Sequence, residues 1–256
     1  MAYDLSGDGP LVILVPGMGD LRSTYRFLAP TLVAGGFRVA SMDLRGHGDS
    51  DTTFASYGDD ETAGDISALI EDLAVPAVVV GNSMGAASAA LVAADRPELV
   101  NGLVLIGPFL RNGATSRLQQ IGFRLAMTPL WAAAVWKAYL PKLYAGQRPT
   151  DFESHRSDMV ASLRRPGYAK AFSLTTHTNH DVAEACLGRV STPVLVVMGE
   201  ADPDFPDPTS EAAWIEQELD AQVVMVPEAG HYPQSQRPDI TTPAVIEFLE
   251  ALPQHG

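Results

Sequence analysis

Short runs of Val, Leu and Ile recur along the first hundred residues and again near the end of the chain, separated by longer stretches with helical periodicity. The runs Leu11–Val15, Arg38–Asp43, Ala77–Val80, Gly102–Ile106, Val194–Met198 and Gln222–Val226 are the expected strands. Each is about five residues long, an ordinary strand length. Most are short apolar runs, as expected of strands buried on both faces of a parallel sheet. Between them the periodicity predicts helices over Ser23–Ala34, Glu61–Leu73, Met84–Ala94, Ser210–Leu219 and Thr242–Leu252. This alternation predicts an α/β fold with a doubly wound, mostly parallel sheet flanked by helices. Residues Tyr3 to Leu5, turned by Ser6-Gly7-Asp8-Gly9-Pro10, add an antiparallel edge strand, for about seven strands in all.

The alternation breaks between Pro108 and about Ala185, where no strand-like run occurs. Helical patterns cover Arg117–Met127, Leu130–Tyr144, Asp151–Arg164 and Tyr168–Thr176, punctuated by Pro129, Pro149 and Pro166-Gly167. The expected organisation is therefore an α/β core at 1–107 and 186–256, with an all-helical cap, 108–185, over the strand ends. Phe123, Met127, Leu130, Trp131, Val135 and Trp136 form an apolar stripe in it. Such a stripe serves packing, or it walls a substrate pocket. Phe123, Met127, Trp131 and Trp136 are the pocket candidates, while His177 and His180 at the end of the insertion are expected on the solvated surface.

Candidate chemistry sits where strands end. Val78-Val79-Val80 runs into Gly81-Asn82-Ser83-Met84-Gly85 and then into a small-residue helix. G-x-S-x-G between a strand and a helix is the context in which a sharp turn exposes a strained serine hydroxyl. Asp202 follows the strand ending at Met198, where ligand-facing residues of open α/β sheets collect. His231 follows the last strand. A serine needs a hydrogen-bonded imidazole to accept its proton, and the imidazole needs a carboxylate to fix its tautomer. Ser83, His231 and Asp202 fill these roles, with Asp204 a rival to Asp202. Two backbone N–H donors are required for a developing oxyanion. Met84, first in its helix, supplies one, and Met18, in the loop Pro16-Gly17-Met18-Gly19, the other.

Composition narrows the picture. The chain has 256 residues, of which 46% are hydrophobic and 19% charged, enough for a sizeable soluble core. A formal charge of −14 disfavours a nucleic-acid partner. No run approaches eighteen apolar residues and the N-terminal stretch has no basic, then apolar, leader pattern, so neither a membrane span nor export is expected. The single cysteine, Cys186, is read as a buried hydrophobe and suits a reducing compartment, so a cytoplasmic location is expected. There is no metal-spaced His/Cys cluster, G-x-G-x-x-G or Walker pattern. The expected partner is a small-molecule substrate, with no cofactor.

The segments Val15 to Gly19, Asp43 to Ser50, Gly81 to Gly85, Gly199 to Asp202 and Gly230-His231 occur in the order seen in α/β-hydrolase-fold proteins, and the chain resembles their serine-nucleophile branch with a helical cap. The resemblance implies a core-plus-cap architecture, the triad roles above, and a purely structural role for the loop Arg45 to Ser50. Pro16 departs from it, standing where the family usually has histidine, so a polar tether on the oxyanion loop is expected to be missing. A serine at the elbow argues against haloalkane dehalogenases and most epoxide hydrolases of this fold, which use aspartate. Hydrolysis of a small apolar carboxylic ester through an acyl-enzyme is the simplest reading. The elbow also resembles that of meta-cleavage-product hydrolases, which cut carbon–carbon bonds, and some proteins of this fold are ligand receptors with little turnover. A carbon–carbon hydrolase needs a cation for the substrate carboxylate. The insertion offers Arg117, Arg124, Arg148, Arg156, Arg164 and Arg165, whose helical context predicts that most face solvent.

Overall fold

The computed structural model describes residues 1–113 and 117–253, with the side chains of 117–120 left aside. Seven strands form one sheet in the order β1-β3-β2-β4-β5-β6-β7. These are β1 (Tyr3–Ser6), β2 (Leu11–Val15), β3 (Arg38–Met42), β4 (Ala77–Asn82), β5 (Val100–Ile106), β6 (Val194–Gly199) and β7 (Gln222–Val226). Only β1 runs antiparallel, pairing Tyr3 with Met42 and Ser6 with Val39. The sheet's reversal of direction, with β3 and β1 to one side of β2 and β4 to β7 to the other, falls between β2 and β4. Ligands of open α/β sheets bind outside the strand ends at such a point, and here it joins the loop after β2 to the turn after β4.

Period-two alternation sends each strand's side chains to both faces. Ile13, Val79, Leu105 and Val196 point into one core layer, with α2 (Asp59–Leu73), α3 (Met84–Asp95), α8 (Asp181–Cys186) and α9 (Pro208–Leu219). Leu14, Val80, Val104 and Val197 point into the other, under α1 (Leu28–Ala34) and α11 (Pro238–Ala251). The segment expected as one helix over 23–34 is split. A 3-10 turn at Arg22–Tyr25 precedes α1, and its Tyr25 hydroxyl donates to the Val15 carbonyl at 2.7 Å.

Between β5 and β6 lie α4 (Arg117–Ala126), α5 (Ala132–Leu143), α6 (Phe152–Leu163) and α7 (Tyr168–Thr175). They enclose their own apolar cluster, built on Trp136, Leu140, Leu143, Phe152, Met159 and Phe172, into which Tyr232 of the sheet layer reaches. The helix that follows, α8, differs. Its Ala183 belongs to the core cluster on α2 and α3, so the layer around the sheet resumes at α8 rather than after residue 185. Cys186 is buried there, and burial pushes its thiol up to about 11. Among the described residues no helix is long and apolar enough to cross a membrane.

Candidate active site

Ser83 caps the turn from β4 to α3 with φ 57° and ψ −122°, a combination an L-residue holds only when its surroundings impose it. They do so by crowding. A Cβ on Gly81 would lie 2.4 Å from the Gly85 carbonyl oxygen, and one on Gly85 2.6 Å from that of Pro16. Only glycines let β4, α3 and the loop after β2 approach this closely. The Ser83 N–H is held by the Ile106 carbonyl at 2.9 Å.

His231 and Asp202 meet at the ends of β7 and β6. The His231 Nδ1–H donates to Asp202 Oδ2 at 2.7 Å, while Asp204 Oδ2 stands 4.0 Å away, so the nearer carboxylate is Asp202. Asp204 is occupied elsewhere, accepting from the Tyr139 hydroxyl at 2.5 Å. Burial alone would lower the His231 pKa, but Asp202, helped by Asp204 and Asp20, outweighs it and pushes the imidazole up to about 9. Burial raises the Asp204 carboxyl against the pull of His231 and Tyr139.

The backbone around the histidine is fixed from three sides. Its N–H donates to the Leu143 carbonyl at 2.8 Å, at the end of α5. Its carbonyl accepts from Asn82 Nδ2 at 3.2 Å, and the same amide donates to the Ile106 carbonyl at 3.0 Å. Gln236 Oε1 accepts from the Gly230 N–H, and Gln236 Nε2 donates to the Ala145 and Gln147 carbonyls. Gly107, at φ 49°, lets β5 end directly beneath the pair, since a Cβ there would lie 3.2 Å from His231 Nδ1 and 3.3 Å from Asp202 Oδ2.

The loop after β2 has two anchors that its own sequence does not announce. The Gly19 N–H donates to His47 Nε2 at 3.0 Å, while His47 Nδ1 donates to the Arg45 carbonyl at 3.0 Å. This requires the neutral ring, and burial lowers the His47 pKa accordingly. The Trp136 indole N–H donates to the Gly19 carbonyl at 2.9 Å. The tether expected to be lost with Pro16 is therefore present, supplied by the loop read as purely structural. With the Gly19 N–H taken by His47 and the Asp20 N–H by the Gly17 carbonyl, the N–H groups of Gly17 and Met18 are the donors left on this loop, and Met18 borders the cavity. Met84, the first residue of α3, has no acceptor within its helix.

Ser83, His231, Met18 and Met84 all border one cavity of about 310 Å³ under the inserted helices. Of the four pocket candidates, Phe123 and Trp136 line it and the other two do not. Met127 is 2% exposed inside the cluster of the insertion, and Trp131 is 46% exposed with its indole N–H turned back to the Leu125 carbonyl. His180, expected on the surface, lines the cavity instead, and so does Arg124. His177 is exposed. Among the other arginines, Arg148 is bound to the Pro141 carbonyl, Arg156 pairs with Glu153, Arg165 pairs with Asp49 and Arg164 is exposed. The Arg117 side chain lies outside the described residues.

Asp202, Asp204 and His231 each offer an atom within 4.8 Å of one another, the spacing of a metal site among the described residues. The Asp202–His231 hydrogen bond accounts for that spacing without an ion. A larger groove of about 970 Å³ runs along β1 and α1 and shares no lining residue with the cavity. Its arginines are already paired, Arg22 with Asp4, Asp43 and Asp49, Arg26 with Asp151 and Arg165 with Asp49.

An open α/β sheet with a strained serine after one strand and an Asp–His pair after two later ones defines a class, the α/β hydrolases. A model of the alpha/beta hydrolase family matches residues 12–244, and the chain belongs to that family. It is similar to the 2-(acetamidomethylene)succinate hydrolase of Mesorhizobium japonicum, 29% identical over 251 residues, which span 96% of this chain and 90% of that one. In fold it is similar to a bromoperoxidase from Bacillus anthracis (TM-score 0.86, 20% identity, 97% of this chain and 94% of that one). A thermophilic esterase from Thermogutta terrifontis is similar in the same way (TM-score 0.81, 24% identity, 97% and 92%).

Proposed function

We propose that this α/β hydrolase cleaves a small carboxylic ester by nucleophilic catalysis at Ser83, with His231 as general base and Asp202 orienting it. The observation that carries this reading is a serine forced into a strained turn on the cavity that His231 borders, with one imidazole nitrogen of that histidine bound to Asp202 at 2.7 Å. With Nδ1–H committed to Asp202, Nε2 is left to accept the Ser83 proton as Oγ attacks the substrate carbonyl. The tetrahedral oxyanion would be met by the N–H groups of Met18 and Met84. His231 then returns the proton to the departing alcohol, and water, activated by the same histidine, hydrolyses the acyl-enzyme. No cofactor enters this scheme. Helices α4 to α7 act as the cap that excludes bulk water, and a cavity of about 310 Å³ suits a small molecule. A cytoplasmic setting fits the one buried cysteine. The relative from Mesorhizobium is named as a hydrolase of a succinate derivative, which supports hydrolysis of a small substrate.

One observation favours a second reading. Arg124 borders the cavity, so a cation for the carboxylate of a vinylogous 1,5-diketone acid is at hand for carbon–carbon cleavage by the same triad. Side-by-side kcat/KM on purified protein separates the two. The ester reading expects turnover of short to medium p-nitrophenyl esters. A preference of more than about tenfold for the diketone acid, roughly 1.4 kcal/mol in transition-state stabilisation, would replace it.

A further inference from the structure

The cavity holds a second histidine bound to a buried aspartate, and the triad chemistry does not use it. His180 Nδ1 lies 2.7 Å from Asp59 Oδ2, at the first residue of α2. The Asp59 side chain is wholly buried, and its other oxygen, Oδ1, has no hydrogen-bond partner. A buried carboxylate with so little compensation is costly to keep, and His180 is the side chain that satisfies it. The His180 backbone is pinned as well, its N–H donating to Asn112 Oδ1 at 3.2 Å. The Phe109 ring stacks on this imidazole at 5.7 Å and 14°, and it also meets His231 at 5.6 Å and Phe205 at 5.0 Å. The two histidines thus flank one phenyl ring on the wall of a single cavity. With Nδ1 committed, Nε2 is the polar atom His180 has left to offer. Arg124 borders the same space.

We propose that His180, fixed by Asp59, and Arg124 form a carboxylate-recognition subsite beside the reacting centre, so that the preferred substrate carries a free acid group as well as the bond that is cleaved. This rests on Ser83 being the nucleophile. A chain of formal charge −14 repels anions over most of its surface, so an acidic substrate needs local cationic donors to be held. Arg124 supplies the positive charge beside the nucleophile, and His180 donates through Nε2–H when its Nδ1 accepts from the protonated Asp59 carboxyl, the form that burial favours, whereas a neutral aliphatic substrate gains nothing from either. If the His180–Asp59 pair served only to fasten the end of the insertion to α2, it would not discriminate between charged and neutral substrates.

The test compares mono-(4-nitrophenyl) glutarate with 4-nitrophenyl valerate, acyl chains of equal length that differ by the terminal acid. The acid ester should be favoured by about tenfold or more in kcat/KM, and the ratio should fall towards one in His180→Phe and in Arg124→Gln. Raising the salt concentration should shrink the ratio in the parent protein. Should His180→Phe fail to fold, Arg124→Gln, on an exposed part of α4, decides alone. A parent protein without the preference, or one whose preference survives Arg124→Gln and any folded His180 variant, overturns the subsite. If neither ester is cleaved, the ester reading falls on its own, and calorimetry with Ser83→Ala decides the subsite. Binding of glutarate at least tenfold tighter than valerate, lost on adding Arg124→Gln, upholds it, and equal or undetectable binding rejects it.

Discussion

A serine hydroxyl and an imidazole that exchange one proton succeed or fail as a unit. On the proposed mechanism Ser83→Ala lowers kcat by roughly four to six orders of magnitude with the fold intact, and His231→Ala matches it. The double variant should be no worse, as steady-state rates on one ester will show. Protonated His231 cannot accept the serine proton, so its elevated pKa, about 9, places the rising limb of kcat/KM on the alkaline side of the ordinary histidine value of about 6.5. Asp204 contributes to that elevation from 4.0 Å without the direct hydrogen bond. Asp204→Asn should therefore move the limb to lower pH and keep turnover, while Asp202→Asn should lose most of it. A pH profile with the limb unmoved in Asp204→Asn, or collapse in that variant alone, would reverse the assignment of the two carboxylates. The sequence offered both in the loop Asp202-Pro203-Asp204, and only side-chain geometry distinguishes them.

Among the elements, the loop after β2 is where chain order says least. Gly17-Met18-Gly19 identifies a place for close backbone approach, but its anchors come from His47, 28 residues on, and Trp136, 117 residues on. Neither residue carries a motif for that task, because a lone buried histidine or tryptophan reads as packing until its partner is known. The stripe in α4 and α5 misleads in the same way. Helical spacing brings Met127, Trp131 and Trp136 to notice together, yet a break in the helix at Trp131 turns its ring back on α4, and Met127 faces the interior of the insertion. Trp136→Ala should accordingly change relative kcat/KM across acyl-chain lengths, and Trp131→Ala should leave that profile flat. His47→Ala frees the Gly19 N–H and lets the loop drift, so kcat should fall by up to about 10²-fold with KM little changed. A rise in KM alone would remove the loop from any role at the transition state.

At the scale of the whole molecule, the sheet was legible because β2, β4, β5 and β6 are buried on both faces and so read as unbroken apolar runs. Strand β7, only partly buried, was legible from its Val-Val-Met-Val run, and Asp202 and His231 each trail a strand. The join between the insertion and the core around His231 was not legible, since its partners are main-chain groups that carry no sequence signal. The Leu143 carbonyl holds His231, and Gln236 bridges Gly230 to Ala145 and Gln147. Gln236→Leu strands several of these buried groups at about 1–3 kcal/mol each. A loss of about 3 kcal/mol or more in denaturant unfolding, with turnover falling beside it, is expected. A neutral result would mean that water or a shifted backbone satisfies them.

Ser83 as the nucleophile is tested most directly by mass spectrometry of the protein after treatment with a serine-directed phosphonate. One adduct per chain, mapped to the peptide containing Ser83 and absent from Ser83→Ala, is the predicted result. An adduct on another residue, or turnover that survives stoichiometric labelling of Ser83, would contradict it.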